Sequence, residues 1–301
     1  MNAQYTFARS VGTTAGSNEA RTAANNARAI SEWDYDRGSN NFDVRHTFNL
    51  SAVYDLPVGR SRTLDWGGAG NAVFGGWEVG AIFNARSGLP IEVGITRPDV
   101  VAQCMTAGGC AAKTSTGANV TVPQGFTAQL PSGALPPGFF AVVNVPGGGA
   151  SRNVRRPDLI PGVNPYLNND RNLLNPAAFA IPAPGAFGDL ARNALRGPNF
   201  WQSDLIFNKR IPITETVRLE FRTEVFNLFN RANFALPSST LNVGLPTINS
   251  AGVLGPNSVQ PGQAYTQSVA GSAFGLLRQT VERTVGLGTN RQIQFALRLT
   301  F

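Results

Sequence analysis

The chain has 301 residues, of which only 14% are charged, and its formal net charge at pH 7 is +7. Its 33 glycines and 20 prolines are too many for a helical protein and are typical of strands joined by irregular loops. No apolar run approaches the roughly 18 residues of a membrane-spanning helix. The arginines that supply the positive charge are scattered, which argues against nucleic-acid binding. Three classes remain: a soluble all-β domain, a loop-rich secreted protein, or a β-barrel whose lipid-facing residues are hidden by alternation.

Alternation of apolar and polar side chains is the pattern that a strand crossing a membrane requires, over about 9–11 residues. The clearest example is 44–56, where Phe48 and Leu50 fall on one face and Asn49 and Ser51 on the other. The same pattern recurs along the chain. It predicts six strands, at 3–10, 44–56, 77–86, 201–210, 217–226 and 291–301.

The connections between these strands alternate in length. Two are short or of medium length, at 57–76 and 211–216. If the chain ends in the periplasm, the other three lie outside the cell. Long extracellular loops and short periplasmic turns are typical of outer-membrane barrels. In a compact soluble domain, structureless loops of this length are uncommon and would argue against the predicted strands. The long connections are 11–42, 88–200 and 227–290.

We therefore expect an all-β fold: an antiparallel transmembrane β-barrel segment with long extracellular loops. Known barrels have about eight strands or more, so six strands are expected to form part of a larger barrel. Only Arg9 and Lys209 place a charge on the proposed lipid face, and both lie at strand ends, where a long stem can reach water. On the other face, the alternating arginines and glutamates from Arg218 to Glu224 predict a ladder with a structural role.

Few residues offer covalent or metal chemistry. Cys104 and Cys110 are the only cysteines, and they lie six apart in the longest predicted loop, which predicts a disulfide in an oxidising compartment. The single histidine, His46, falls in the apolar phase of its strand and is interpreted as an interfacial residue. With one histidine and no nucleophile-elbow motif, we expect no enzyme, no catalytic residue, no metal site and no cofactor.

A group of acidic and amide side chains in and directly after the first long loop offers oxygen ligands for a Ca²⁺ ion. It comprises Asp34, Asp36 and the stretch 40–43. Clustered oxygen ligands suit Ca²⁺, but the spacing matches no known calcium loop. The favoured interpretation is a solvated polar loop.

Several motifs along nearly the whole chain resemble those of TonB-dependent receptors of the Oar-like type. They are YTFARS (5–10), DVRHTF (43–48), RSGLP (86–90), NPAAFA (175–180), FGDLARNALRGP (187–198), DLIFNKRIPI (204–213), RTEVFNLFNRANF (222–234) and RQIQFALRLTF (291–301).

The resemblance implies a receptor in the outer membrane of a Gram-negative-type bacterium that imports a scarce ligand, such as a siderophore or an oligosaccharide. Such receptors carry an amino-terminal carboxypeptidase-regulatory-like domain, a plug worked by TonB and a barrel of about 22 strands. The motifs of this chain match the last strands of such a barrel. The implied partners are outer-membrane lipid, the remaining strands and the plug, and TonB through the plug.

The predicted last strand ends on an aromatic residue. Its alternating apolar residues, Phe295, Leu297, Leu299 and Phe301, resemble the signal read by the β-barrel assembly machinery. Three alternatives to a transporting barrel remain open. They are a surface adhesion or interaction module, a truncated fragment that does not transport, and a secreted β-sandwich that binds carbohydrate.

Overall fold

The computed structural model describes residues 1–13, 33–59, 62–96, 100–130, 135–144, 155–167, 169, 171–256, 258–281, 288 and 290–301. Its largest element is a six-stranded sheet in which each strand pairs antiparallel with the next along the chain. The six strands predicted from alternation are therefore present. They are β1 (Asn2–Phe7), β2 (His46–Asp55), β3 (Trp77–Arg86), β4 (Phe200–Pro212), β5 (Arg218–Phe226) and β6 (Gln292–Thr300).

One face of this sheet is predominantly apolar because the register places residues of the same phase opposite each other. Leu50 on β2 lies opposite Phe83 on β3, and Phe221 on β5 lies opposite Leu297 on β6. On β6, which forms one edge of the described sheet, these apolar side chains are largely exposed: Phe295 and Leu297 are each 69% exposed. An outward apolar face that crosses every strand is the surface a barrel presents to lipid.

The opposite face is mainly polar, and its side chains pair across strands. Arg210 on β4 forms an ion pair with Glu78 on β3 at 3.0 Å. Asn208 donates a hydrogen bond to Glu220 on β5 at 2.6 Å. The ladder predicted between Arg218 and Glu224 thus takes part in the bonding of the sheet.

The strand ends differ from the predicted ones by at most three residues, and two of these differences change the connections. Strand β1 ends at Phe7 rather than near residue 10, because the chain turns and the Ser10 amide donates to the Asp43 carboxylate instead of to the ladder. Strand β4 continues to Pro212, which shortens the turn that follows. There the amide of Ile213 donates to the carbonyl of Val217 at 2.9 Å.

The 57–76 connection contains a helix, α1 (Gly67–Phe74), which the sequence did not predict. The Lys209 amine donates to three carbonyl oxygens at the carboxyl end of this helix, at 2.7–2.8 Å. A cation in this position complements the helix dipole and satisfies carbonyls that have no partner within the helix. The long stem of Lys209 therefore carries its charge from the lipid face to the end of the helix.

The other helical segments of the described residues are short. They are α2 (Gln267–Ala270) and the 3₁₀ turns Trp33–Asp36 and Pro176–Ala178. Within the described ranges, no helix has the length and apolar character needed to cross a membrane.

The described parts of the long connections are folded and lie at one end of the sheet. Between β3 and β4, Val100–Cys104 pairs with both Thr127–Leu130 and Phe139–Asn144, and Cys110–Lys113 forms a hairpin with Asn119–Val122. Two-residue strands join further parts of the connections. They are Val11–Gly12 with Gly38–Ser39, Pro90–Ile91 with Leu195–Arg196, Gly94–Ile95 with Thr240–Leu241, and Asp158–Leu159 with Phe179–Ala180.

Nearly all buried apolar side chains of the described residues lie in these connections rather than in the sheet. A larger core brings together residues distant in sequence, among them Ile91, Phe179, Leu241 and Tyr265. A second core surrounds Cys104 and includes apolar residues of both the 88–200 and the 227–290 connections. The described parts of the 88–200 and 227–290 connections therefore form a packed body with two hydrophobic cores.

Candidate functional site

Buried polar side chains fix the last long connection to the outer half of β4. The Asp204 carboxylate accepts hydrogen bonds from Gln202 and from the backbone amide of Asn227, both at 2.8 Å. The Gln202 side chain in turn accepts from the amide of Gly288 at 2.6 Å. Because buried polar groups are costly unless they are paired, these bonds hold the connection in one position on the strand.

A second set of contacts fixes the first long connection. The Arg156 side chain, 1% exposed, forms an ion pair with Asp36 at 3.4 Å, and its guanidinium lies 3.7 Å from the centre of the Tyr35 ring. Arg192 donates to the carbonyl of Asp36 at 3.2 Å. Charge pairing and cation–π stacking together attach the Trp33–Asp36 turn to the packed body.

Asp43 is a third anchor, just before β2. Its buried carboxylate accepts a hydrogen bond from the Ser10 amide at 2.7 Å and forms ion pairs with Arg196 and, at 3.8 Å, with Arg45. Burial by itself would raise the pKa of this carboxyl. The hydrogen bonds from Arg196 and Ser10, with the charges of Arg196 and Arg45, outweigh burial and hold the pKa below its ordinary value.

These contacts correct the interpretation of the acidic group as a solvated polar loop. Asp36 and Asp43 are buried and each is paired with an arginine, whereas Asp34 is exposed. The partners Arg156 and Arg196 lie more than a hundred residues further along the chain. No local pattern in the sequence identifies such pairs, so sequence reasoning missed both.

A cavity of about 500 Å³ lies between the outer ends of β1 and β2 and the packed body, and five arginines line it. The side chains of Arg9, Arg37 and Arg45 are exposed at its rim, while Arg192 is buried and Arg196 partly buried in its wall. Guanidinium groups donate several hydrogen bonds in a planar fork that matches carboxylate and phosphate oxygens. This arrangement can bind an oxyanion.

An aromatic groove of about 710 Å³ runs along the apolar face at the same end of the sheet. The single histidine lies at its edge, where the His46 Nδ1 and the Tyr5 hydroxyl are 2.8 Å apart and the Phe7 ring is 5.3 Å away. Trp201 and Phe229 form a T-shaped pair in the same groove. Aromatic rings with a polar edge are typical of the interface between lipid and water.

Cys104 and Cys110 form a disulfide, and both side chains are buried in the second core. The bond closes the turn between the Val100–Cys104 and Cys110–Lys113 strands. In the part of the chain that the structure describes, no three histidine, cysteine, aspartate or glutamate side chains are grouped so as to hold a metal ion.

The residues predicted as an assembly signal lie on and beyond β6. Phe295, Leu297 and Leu299 lie on the apolar face, opposite Thr223, Phe221 and Leu219 of β5. Phe301 follows the strand and is 94% exposed. Their recognition by the assembly machinery stays a prediction.

An antiparallel sheet with one continuous apolar face and its long connections at one end is typical of a β-barrel protein of the outer membrane. The family model described as outer membrane beta barrel domain matches residues 1–294, and the chain belongs to this family. Its location is therefore the outer membrane of a Gram-negative-type bacterium. Comparisons with curated proteins and with solved structures found no match. Membership in this family excludes the alternative of a secreted β-sandwich.

Proposed function

We propose that this chain is the carboxy-terminal part of a TonB-dependent receptor of the Oar-like type and takes part in uptake of a scarce ligand. The observation that carries the proposal is the position of the receptor-like motifs. The stretch 187–198 supplies Arg192 and Arg196, and 222–234 supplies Asn227. Arg192 and Arg196 bind Asp36 and Asp43 in the segment before β2, and Asn227 binds Asp204 on β4. The motifs thus coincide with contacts that attach the packed body to one end of the sheet, as a receptor with a large extracellular body requires.

The proposal includes partners that complete the barrel. The described sheet is open, with β1 and β6 each paired on one side only. Unpaired backbone groups in lipid cost several kcal/mol each, so further strands must cover both edges. In the proposed receptor these strands enclose a plug on which TonB acts. The assembly machinery then acts on β6.

The test removes part of the packed body without disturbing the sheet. The amide of Ile95 donates a hydrogen bond to the carbonyl of Arg155 at 2.7 Å. The two ends of the segment between these residues therefore lie next to each other. A short glycine–serine linker can therefore replace 97–154. We expect barrel levels in the outer membrane to persist. Growth under iron limitation, or on oligosaccharides as carbon source, should fall to the level seen after TonB depletion.

The same strains separate this proposal from its alternatives. Loss of cell–cell attachment with unchanged growth in both media would support a surface adhesion module instead. Growth that is independent of the intact protein and of TonB, with attachment unchanged, would indicate a truncated fragment that does not transport. Either result contradicts the uptake proposal.

A further inference from the structure

We infer that the arginine-lined cavity is a binding site for a phosphate-type oxyanion. The inference is independent of the proposed transport function, since binding is measured without uptake. The cavity lies at the extracellular end of the sheet, where the chain leaves β1 and enters β2. Its guanidinium groups come from three separate segments of the chain, which fold together only in this structure.

Among the described residues, the charges that line the cavity are unbalanced. Of its five arginines, Arg45 and Arg196 share the carboxylate of Asp43. The side chains of Arg9 and Arg37 form neither an ion pair nor a hydrogen bond within the described ranges. Guanidinium groups facing one concave space repel each other, and a bound anion removes this repulsion.

The donor chemistry favours a multiply charged oxyanion. Arginine donates through a rigid fork and stays charged at every physiological pH, so several arginines converging on one space suit phosphate better than a neutral sugar. Two sources present this chemistry at the cell surface: a soluble phosphorylated compound and the headgroup of a phosphorylated lipid. The aromatic groove begins at His46, the residue that follows Arg45 of the cavity in the chain, so a lipid with its headgroup in the cavity can place its acyl chain in the groove.

The test uses the full chain and changes only the rim. The variant R9Q/R37Q removes two positive charges without touching Arg192 or Arg196, whose hydrogen bonds stabilise the fold. The matched control R171Q/R278Q removes the same charge from two exposed arginines elsewhere in the connections. Binding is measured for radiolabelled inorganic phosphate by equilibrium dialysis, and for phosphatidylcholine nanodiscs with and without phosphatidic acid.

We expect the wild type and the control to bind, and R9Q/R37Q to bind at least about tenfold more weakly. Binding should also weaken as ionic strength rises. Binding of inorganic phosphate identifies a soluble source, and binding only of phosphatidic acid identifies a lipid. The inference is overturned if neither probe binds the wild type, or if both double variants lose binding equally.

Helix α1 supports a second inference, from separate contacts. Lys209 and Trp77 lie opposite each other on the apolar face, and both bind the carboxyl end of α1: Lys209 through its amine and Trp77 through its indole N–H, which donates to Val73 at 2.9 Å. The helix therefore lies on the lipid side of the barrel, at the periplasmic end. Trp66 and Phe74 are more than half exposed and stack edge to face with their centres 5.3 Å apart.

We propose that α1 rests in the headgroup region of the periplasmic leaflet, with Trp66, Val73 and Phe74 in contact with phospholipid. Phospholipid is the expected partner of this surface, because the surface of α1 is continuous with the lipid-facing surface of β3 and β4. Tryptophan favours this depth, where its ring is apolar and its N–H meets water. In this setting the exposed apolar residues are covered by lipid.

A membrane-soluble carbene probe tests this placement in outer membranes that contain the full chain. After photolysis, we expect adducts on Trp66 and Phe74 comparable to those on Phe295, which faces lipid. Met105 is 50% exposed but lies in the extracellular body, so it serves as the unlabelled reference. If Trp66 and Phe74 are labelled no more than Met105, the placement is wrong.

Discussion

Replacing Phe295 by arginine should prevent stable insertion of the barrel. Phe295 lies near the middle of β6, on the apolar face, 6.2 Å from the ring of Phe221. An arginine at the middle of the bilayer costs about 2–4 kcal/mol on the lipid side of a barrel, which lowers the insertion equilibrium by roughly 30- to 1000-fold. We expect F295R to be almost absent from the outer membrane and to be degraded in the periplasm.

The neighbouring residue provides the control. Gln294 points to the opposite face of the same strand and lies opposite Glu224. The variant Q294R introduces the same charge one residue away, beside a carboxylate, and should accumulate normally. The measurement is the amount of heat-modifiable protein in the outer-membrane fraction. Equal loss of both variants, or of neither, would contradict the assignment of the lipid face.

The sheet was predictable because its determinants are local. A strand that separates lipid from an aqueous interior must alternate apolar and polar side chains, and about ten residues of sequence are enough to show this alternation. The phase of each strand also sets the register, since a shift by one residue would place Leu50 opposite Ile82 or Asn84, whose side chains lie on the other face of the sheet.

The packed body formed by the long connections could not be predicted from local sequence patterns. Its strands are two to six residues long, too short to show a period. Its cores join residues such as Ile91 and Tyr265, which lie far apart in the sequence. Composition indicated irregular connections, but only the three-dimensional structure shows that two of them pack together around hydrophobic cores.

Helix α1 was missed for a different reason. Three of its eight residues are glycine, each of which disfavours a helix by about 1 kcal/mol relative to alanine. Tertiary contacts offset this preference, since Lys209 and Trp77 bind the carbonyls at its carboxyl end. The arginine cavity was likewise invisible in the sequence, where its five members are scattered between residues 9 and 196.

Replacing Asp43 by alanine should release the first long connection from the packed body. The carboxylate binds the Ser10 amide, Arg45 and Arg196, and its side chain has no exposed surface. Breaking a buried ion pair costs about 3–5 kcal/mol; because Arg196 is 24% exposed, we expect the lower end, near 3 kcal/mol. The locally open population should rise roughly a hundredfold, and with it the rate of proteinase K cleavage on intact cells.

Two variants distinguish loss of the charge from loss of the side chain. D43N keeps an acceptor for the Ser10 amide but removes the charge, so its cleavage rate should lie between those of the wild type and D43A. D34A changes an exposed residue of the same connection and should behave as wild type. Rapid cleavage of D34A would show that any change in this connection loosens it.

The pH dependence of the same contact gives an independent measurement. Because the folded-state pKa of Asp43 is lowered, its stabilising contribution is complete above the unfolded value of about 3.9 and is lost as the pH falls through the folded-state pKa. Cleavage of the wild type in isolated outer membranes, assayed after brief acid exposure, should therefore rise below about pH 4. D43A has no carboxylate to protonate at this position, so its cleavage should already be rapid at neutral pH and change little. A parallel acid-induced rise in wild type and D43A would place the responsible group elsewhere and would remove Asp43 as the electrostatic anchor of this connection.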